Sequence, residues 1–578
     1  MVSDLKDKLL KAKDDTTFFE TIQDSYYDEI NSDGQLARTL ADMHNQRCIN
    51  LIEIFMRLTS KTDVRNSYVI KQAFSEAIPH LEVDTQKLAK CINHLLEEFE
   101  QDTPAYPLLS ALKKFCSVDA ARAKELLNFA LQGTSNGINI LSVALEAGAA
   151  CNETEFVNHA IRLLDHDLES VCLEAISALG NISFQDKEHV KSTLIALESM
   201  LEERQSDILL ATLLKSMLYI SSQSEDFENI FMSFTEKHLD HHGESYIYEA
   251  SVALFMKHKL LTPPIESRLF EICSYSNPQS AQTINNIDLA LSRVLKQGNL
   301  QDCVSFLENF FERSEFKLSI KAFNSFVHEL HNNKDTYLAT LITRWMLAKK
   351  LALGQFCFDL TQSVHGDCSF TYDSKLFSTN DGTCSFLAKK ACGWFFVHPK
   401  TVMSLIESLV KEANELELAE IQRIVFNPLL ISYPGSVKDY LTNLQQSSDA
   451  KLSAFAASIL AEFSDYQASI NTALEITELR PSQSDQYTYW KHHQKIMDES
   501  MKQARHHSFL SSLFGDNESV LLYGNKSIHY VHHGDGKTRQ EMPLQQFKHS
   551  FELASMQNID PHGLDDKLWH YRAEGCNS

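Results

Sequence analysis

The chain has 578 residues, room at roughly 150 per unit for about four domains or for one long repeat array. Its 18 glycines and 12 prolines make up about 5% of the residues, under half the usual share, beside an ordinary hydrophobic fraction of 43%. Collagen-like, low-complexity and disordered classes are thereby excluded, and a mainly α chain is expected. Lys+Arg 53 against Asp+Glu 77 gives −24, a balance that repels a phosphate backbone and disfavours nucleic acid as the partner.

The N-terminal run MVSDLKDKLLKAKDD places charges every two or three residues, where an export signal needs an uninterrupted apolar core. Nowhere do 18 consecutive apolar residues occur, so no membrane-spanning helix is expected. Twelve cysteines in 578 residues are too dilute for a disulfide scaffold and read as reduced thiols in a cytoplasmic protein. Residues 1–130 form an N-terminal helical region, after which 131–352 show a repeating pattern.

No proline occurs between Pro107 and Pro263, nor between Pro278 and Pro399, so both stretches are free to run as helix and short turn. Within the first, amphipathic segments come in pairs. Glu155 to Leu164 follows Thr154 as N-cap. Leu168 to Leu179 follows Asp167 and closes on Gly180, which suits the left-handed position past a helix end. Lys187 to Glu203 then pairs with Ile208 to Tyr219 after Asp207, and Glu225 to His238 with Glu244 to Phe255. First helices thus begin about 32 and 38 residues apart, in the range of a solenoid. Ala144 and Ala147 precede Ala175 and Ala178 at the same spacing, and Ala250 and Ala253 follow them. Small residues three apart let neighbouring helices approach.

The run from Asp167 through Val171, Ala175 and Ala178 to Leu179-Gly180 resembles the second helix of a HEAT-type or armadillo-like repeat, and Asp449 to Leu460 is a weaker match. The likeness covers about a quarter of the chain, lacks the basic residue that often follows the Val, and has Lys215 where Ala175 has its counterpart. It implies an α-solenoid of stacked antiparallel helix pairs.

Two stretches break the helical texture. Residues 353–398 carry turn signals at His365-Gly366-Asp367 and Asn380-Asp381-Gly382 and read as an irregular insertion. Helical repeats resume over 399–485, with Lys400 to Leu416 and Leu418 to Val425. The last segment, 486–578, is expected to be a helix plus a small α+β C-terminal cap. Its tail from residue 515 holds six of the 18 glycines, and Ser519 to Tyr523, Gly524-Asn525 and Ser527 to His532 read as a hairpin. A third strand near Thr538 to Met542 and a helix from Leu544 to Ala554 complete the cap.

Gly534-Asp535-Gly536-Lys537-Thr538 lacks the first glycine of a phosphate loop and is followed by a strand pattern, so it reads as a hairpin turn. Cys357, His365, Cys368, Cys384, Cys392 and His398 supply thiolates and imidazoles for a zinc site, without the close pairs that structural zinc prefers; buried thiols are the plainer reading. His238, Asp240, His241, His242 and Glu244 include an Asp-His-His triplet similar to that of a phosphoesterase family, but they fall in a turn between paired helices, where polar residues belong anyway. Ten of 24 histidines lie beyond Gln486, several in pairs.

No cofactor motif is present, and the balance weighs against an enzyme without deciding it. The expected function is a cytoplasmic interaction scaffold or adaptor, one subunit of a multiprotein system, whose acidic solenoid surface binds a basic or amphipathic protein partner. Its inter-helix turns at Asp167, Asp207, Asp240, His241, His242 and Glu244 would carry the contact. The alternative is a metal-assisted hydrolase with its site in 353–398 or the His-rich cap.

Overall fold

The computed structural model describes residues 2–12, 15–29, 34–99, 106–132, 140–201, 206–362, 369–377, 382–506, 526–533, 536–543 and 552–576. The chain is mainly α. It divides into two compact units, Met1–Val294 with Gln301–Lys317, and Leu295–Leu300 with Leu318–Ser578, a coarser division than the five segments read from the sequence.

The first unit runs through α1 (Val2–Leu10), α2 (Asp15–Glu29), α3 (Gln35–Asn45), α4 (Leu51–Phe55), α5 (Ser67–Ala77), α6 (Thr85–Glu98), α7 (Tyr106–Cys116), α8 (Ala120–Gln132) and α9 (Leu141–Cys151). It continues with α10 (Glu153–Leu163), α11 (Glu169–Asn181), α12 (Lys187–Leu201), α13 (Asp207–Ser221), α14 (Phe227–Lys237), α15 (Glu244–Met256) and α16 (Pro263–Cys273); α17 (Ala281–Lys296) and α18 (Leu300–Arg313) lie at its border. Odd helices pack on odd helices from α3 to α15, one after the next. Even helices pack likewise, α4 on α6 on α8, α10 on α12 and α14 on α16, so two layers result.

Side-chain hydrogen bonds record the repeat directly. Asn181 donates to Glu146, 35 residues earlier, the Gln185 amide to Glu153, 32 earlier, and Asn277 to Glu244, 33 earlier. In the second unit Thr340 donates to Asp373 and Tyr440 to Glu407, each pair 33 apart.

The small-residue pairs serve this stacking, with Ala144, Ala147, Ala175, Ala178 and Ala250 wholly buried between odd helices. Helix α13 is flanked on both sides, by α11 and α15, and also meets α12 and α14. It therefore buries Leu209, Leu210, Leu213, Leu214, Met217 and Ile220, each stabilising by roughly 1.5–3 kcal/mol.

Several boundaries differ from the sequence reading. The N-cap of α10 is Asn152, whose side chain accepts from the Glu155 amide, so Thr154 lies inside the helix. Leu168, with no side-chain cap, precedes α11, and Asp167 lies outside it, exposed. Ser206 caps α13, which makes Asp207 its first residue. Gly180 is not a left-handed stop: α11 continues through it to Asn181, and a Cβ there would lie 2.8 Å from Ser216 Cβ on α13. Glycine is required by close helix approach rather than by a turn.

The second unit contains α19 (Asn324–Asn332), α20 (Ala339–Leu347), α21 (Leu351–Gln362), α22 (Thr383–Phe395), α23 (Pro399–Glu412), α24 (Glu415–Ile424), α25 (Pro434–Gln445), α26 (Ala450–Glu475) and α27 (Gln483–His506). A hairpin of β1 (Lys526–His533) and β2 (Gly536–Pro543) follows, then α28 (Met556–Ile559) and α29 (Pro561–Ala573). Much of the stretch expected to be irregular, 353–398, is therefore helix: Leu353, Phe356, Cys357 and Leu360 are buried on α21, and Cys384, Leu387, Cys392 and Phe395 on α22.

The C-terminal cap also departs from expectation. β1 pairs with β2 antiparallel, His533 opposite Gly536 and Lys526 opposite Pro543, so the expected second and third strands pair with each other; the expected first strand, 519–523, lies outside the described residues. Of the expected helix 544–554, only Glu552 to Ala554 are described, and they are not helical. Instead of a separate α+β cap, the described tail lies on the helices before it: α29 packs against α22, and Glu552 accepts from the Gly435 and Ser436 amides at the start of α25 (2.7 and 2.8 Å).

Candidate functional site

The free amides of helix N-termini must be satisfied, and at α12 and α15 carboxylates from a neighbouring helix pair do so. Asp207 Oδ2 accepts from Ser245 N (2.8 Å), and Oδ1 from Tyr246 N (3.1 Å) and His241 Nε2 (3.0 Å). Gly243 makes room for this, because a Cβ would fall inside the Asp207 carboxylate. Burial alone pushes the Asp207 carboxyl up, but the hydrogen bonds from His241, Ser245 and Tyr246 outweigh it and hold the group below its ordinary value.

Glu153 repeats the device at α12, accepting from Gln185 N (2.8 Å), Asp186 N (3.3 Å) and His189 Nδ1 (2.6 Å). Burial raises it, and the bonds from His189, Gln185 and Asp186 bring it below the usual carboxylate range.

The turn residues singled out in the sequence thus meet only in part. Asp207 and His241 are bonded, a Cβ at Gly243 would collide with both, and Glu244 accepts from Asn277 Nδ2 (2.8 Å). His242 stacks on Tyr275 with ring centroids 3.8 Å apart, and the Arg313 guanidinium lies 3.7 Å from the same ring centroid. Asp240 and Asp167 are exposed at separate turns. Both oxygens of Asp207 are engaged within the fold, so its role is to join two helix pairs. His238 is buried against Phe234 and holds a lowered pKa, first through burial and then through His241 and Lys237.

An open groove lies across the odd layer, on α11, α13 and α15. The groove, of about 290 Å³, is lined by Leu173, Ile208 and Ala211 on its apolar side, with Ser177, Thr212, Ser245 and Tyr248 beside them. Two carboxylates, Glu174 and Glu249, and one cation, Lys215, complete it. Burial raises Glu174 against its hydrogen bonds from Ser142, and burial raises Glu249 against the nearby Lys215 charge. Ile208 remains 58% exposed and Tyr248 36%. Of these residues the sequence signalled only Lys215, a long cation at a position where a neighbouring helix carries alanine.

Of the six thiol and imidazole positions of 353–398, the four described ones are not brought to one centre. Cys357 is buried in α21, Cys384 and Cys392 in α22, and burial pushes all three thiols up, the latter two to about 12. The Cys384 amide donates to Glu417 (3.0 Å), another carboxylate capping a neighbour's helix. His398 precedes α23, and His365 and Cys368 lie outside the described residues. Among the described residues no group of three or more His, Cys, Asp or Glu side chains could hold a metal ion, and no helix is long and apolar enough to cross a membrane. Gly536, Lys537 and Thr538 lie in strand β2, which fits a hairpin rather than the helix a phosphate loop opens.

No family model and no curated protein matches the chain. Among solved structures it is similar to an engineered protein, 13% identical, with 80% of this chain and 98% of that one covered and a TM-score of 0.20. It is also similar to a chain from work on the phosphorylation switch that controls the interaction between cadherin and beta-catenin, 11% identical, covering 79% of this chain and 99% of that one, again with a TM-score of 0.20.

Proposed function

We propose that the protein is an interaction scaffold: an α-solenoid of HEAT or armadillo type that holds a basic, amphipathic protein segment across α11, α13 and α15. The observation that carries this is the groove with Glu174 and Glu249 on its walls. Each carboxylate is partly desolvated, which favours an incoming Lys or Arg, and Ile208 and Tyr248 offer apolar surface to the residues beside it. The chain's −24 balance adds long-range attraction for such a segment. A place for the scaffold in a cytoplasmic multiprotein system is consistent with this chemistry.

The test compares full-length wild type with Glu174→Gln/Glu249→Gln in affinity capture at low salt and at about 0.5 M, where charge attraction is largely screened, with cross-links mapped by mass spectrometry. A stoichiometric protein that cross-links to Tyr248 or Lys215, releases with salt and is lost by the variant supports the reading. Equal capture by the variant, or cross-links confined to other surfaces, refutes it.

A further inference from the structure

Among the described residues most cysteines are buried, and solvent reaches those at Cys48, Cys151 and Cys576. Cys151 donates to Ser117 O (3.2 Å), and burial together with Asp119 raises its pKa. Cys576 sits differently. Its Sγ lies 3.5 Å from Nζ of Lys390, a lysine of α22 that is only 2% exposed and stands 186 residues earlier in the chain.

The turn after α29 fixes this pair. The Cys576 amide donates back to Ala573 O (2.9 Å), and Gly575 has φ +69°, the positive value that such a turn takes at its third residue. Cys576 is thereby folded back over the helix end, where its thiol faces Arg572 O (3.7 Å), the same carbonyl that accepts from Lys390 (2.6 Å). Burial lowers the Lys390 pKa against the opposing pull of Cys576 and Glu574, which enlarges the share of free amine.

A nucleophilic amine beside a half-buried thiol defines a chemistry. Peroxide oxidises a thiol to a sulfenic acid, whose sulfur is then open to capture by a neighbouring nitrogen or thiol. Atoms about 3–3.5 Å apart already stand at near-attack separation, and the turn holds Sγ there before any oxidant arrives.

We infer that Cys576 is a peroxide-modified site whose sulfenic acid is captured by Lys390, giving a sulfenamide bridge that ties the tail to α22. In the first step the S–O bond forms and the O–O bond of peroxide breaks; the sulfur gives up two electrons, and the second oxygen leaves as water with the thiol proton. In the next, Lys390 Nζ attacks Sγ as the free amine. The S–N bond forms, the S–O bond breaks, and the hydroxyl leaves as water with an amine proton. The chain has lost two hydrogens, and peroxide has become two waters. The inference is independent of the groove on the first unit.

The full chain treated with hydrogen peroxide, alkylated, digested with trypsin and mapped by mass spectrometry tests it. A peptide pair joined through Lys390 and Cys576 is expected, lighter than its two halves by two hydrogens, uncut after Lys390, and returned to both free residues by dithiothreitol. With the bridge closed, limited proteolysis should cut 552–576 at least about tenfold more slowly. Cys576→Ser, and Lys390→Arg with a cation but no free amine, should gain neither the bridge nor the protection. The mapping on wild type decides the chemistry whether or not Lys390→Arg keeps its tail docked. Cys576 recovered as free thiol, as sulfinic acid or in a disulfide, with Lys390 unmodified, overturns the proposal. A bridge that leaves cleavage of the tail unchanged overturns its role in securing the tail.

Discussion

Asp207 caps a helix it does not belong to: its Oδ2 lies 2.8 Å from the amide of Ser245, 38 residues further on. Two helix pairs are therefore tied at the turns as well as through their apolar layers. Asp207→Ala leaves the Ser245 and Tyr246 amides without this acceptor and should cost about 1–2 kcal/mol; Asp207→Asn keeps one acceptor and should cost about half as much. Urea unfolding of the full chain measures this as a lower midpoint at constant slope. No shift in the first unit's transition for Asp207→Ala would mean that water replaces the carboxylate without loss.

Acid should unfold the protein in two stages. His44, His238 and His331 have pKa values lowered by burial, so the unfolded chain takes up their protons first as pH falls. Stability is then lost from about pH 6.5, the unfolded value, downward until each folded group protonates. Asp207 and Glu153 have lowered values in the fold, and their contribution is present above about pH 4 and disappears as pH drops through the folded pKa. Unfolding midpoints at half-unit pH steps check both stages. His238→Leu should flatten the upper one, and an unchanged profile between pH 7 and 5 in that variant counts against His238 as a contributor.

Gly180 marks the closest approach of α11 to α13. An added Cβ meets Ser216 at its Cβ (2.8 Å) and its Cα (2.9 Å), so a backbone shift is unavoidable. Gly180→Val should destabilise the first unit by roughly 1–3 kcal/mol through overpacking, and Ser216→Gly should recover only part of that because the α13 backbone still stands in the way. Full recovery in the double variant, read from thermal unfolding, would show that the side chain alone sets the spacing.

The repeat was legible because it is written in residues that face one another. Alanines at 144, 147, 175, 178 and 250 are small because another helix lies on each, and the periodic apolar runs gave most helices of 153–256 to within a turn. Caps were harder to read, since the acceptors for α12, α15 and α22 come from Glu153, Asp207 and Glu417, about a repeat length away in each case. Local pattern then credits Asp207 to its own helix and to a partner surface. The same limit hid the groove. Glu174 and Glu249 look like ordinary solvent-facing residues of amphipathic helices until α11, α13 and α15 are set side by side. In 353–398, turn signals dominate the sequence, but Leu387, Ala388, Ala391, Cys392 and Phe395 form a buried helical stripe directly after the second of them.

The tail from Glu552 onward is bound to the second unit by polar contacts to distant backbone. Arg572 Nε donates to Gly393 O (2.6 Å), with its guanidinium 5.3 Å from the Trp394 ring centroid, and Lys390 Nζ donates back to Arg572 O (2.6 Å). Lys389 bridges Glu420 on α24 and Glu574 at the end of the tail (2.6 and 3.0 Å). Lys390 is nearly fully buried, and burial lowers its pKa, so a side chain without the ammonium loses a bond in a place water reaches poorly. Arg572→Ala should free the tail more often than it unfolds the helices beneath. Limited proteolysis should cleave 552–576 about tenfold faster, equivalent to about 1.4 kcal/mol of local opening, with the first unit's cleavage unchanged. Lys390→Met should act in the same direction, since its stem keeps the packing and only the donor is removed. If both variants leave the tail as protected as in the wild type, apolar burial of Leu564 and Leu568 on its own holds α29 in place.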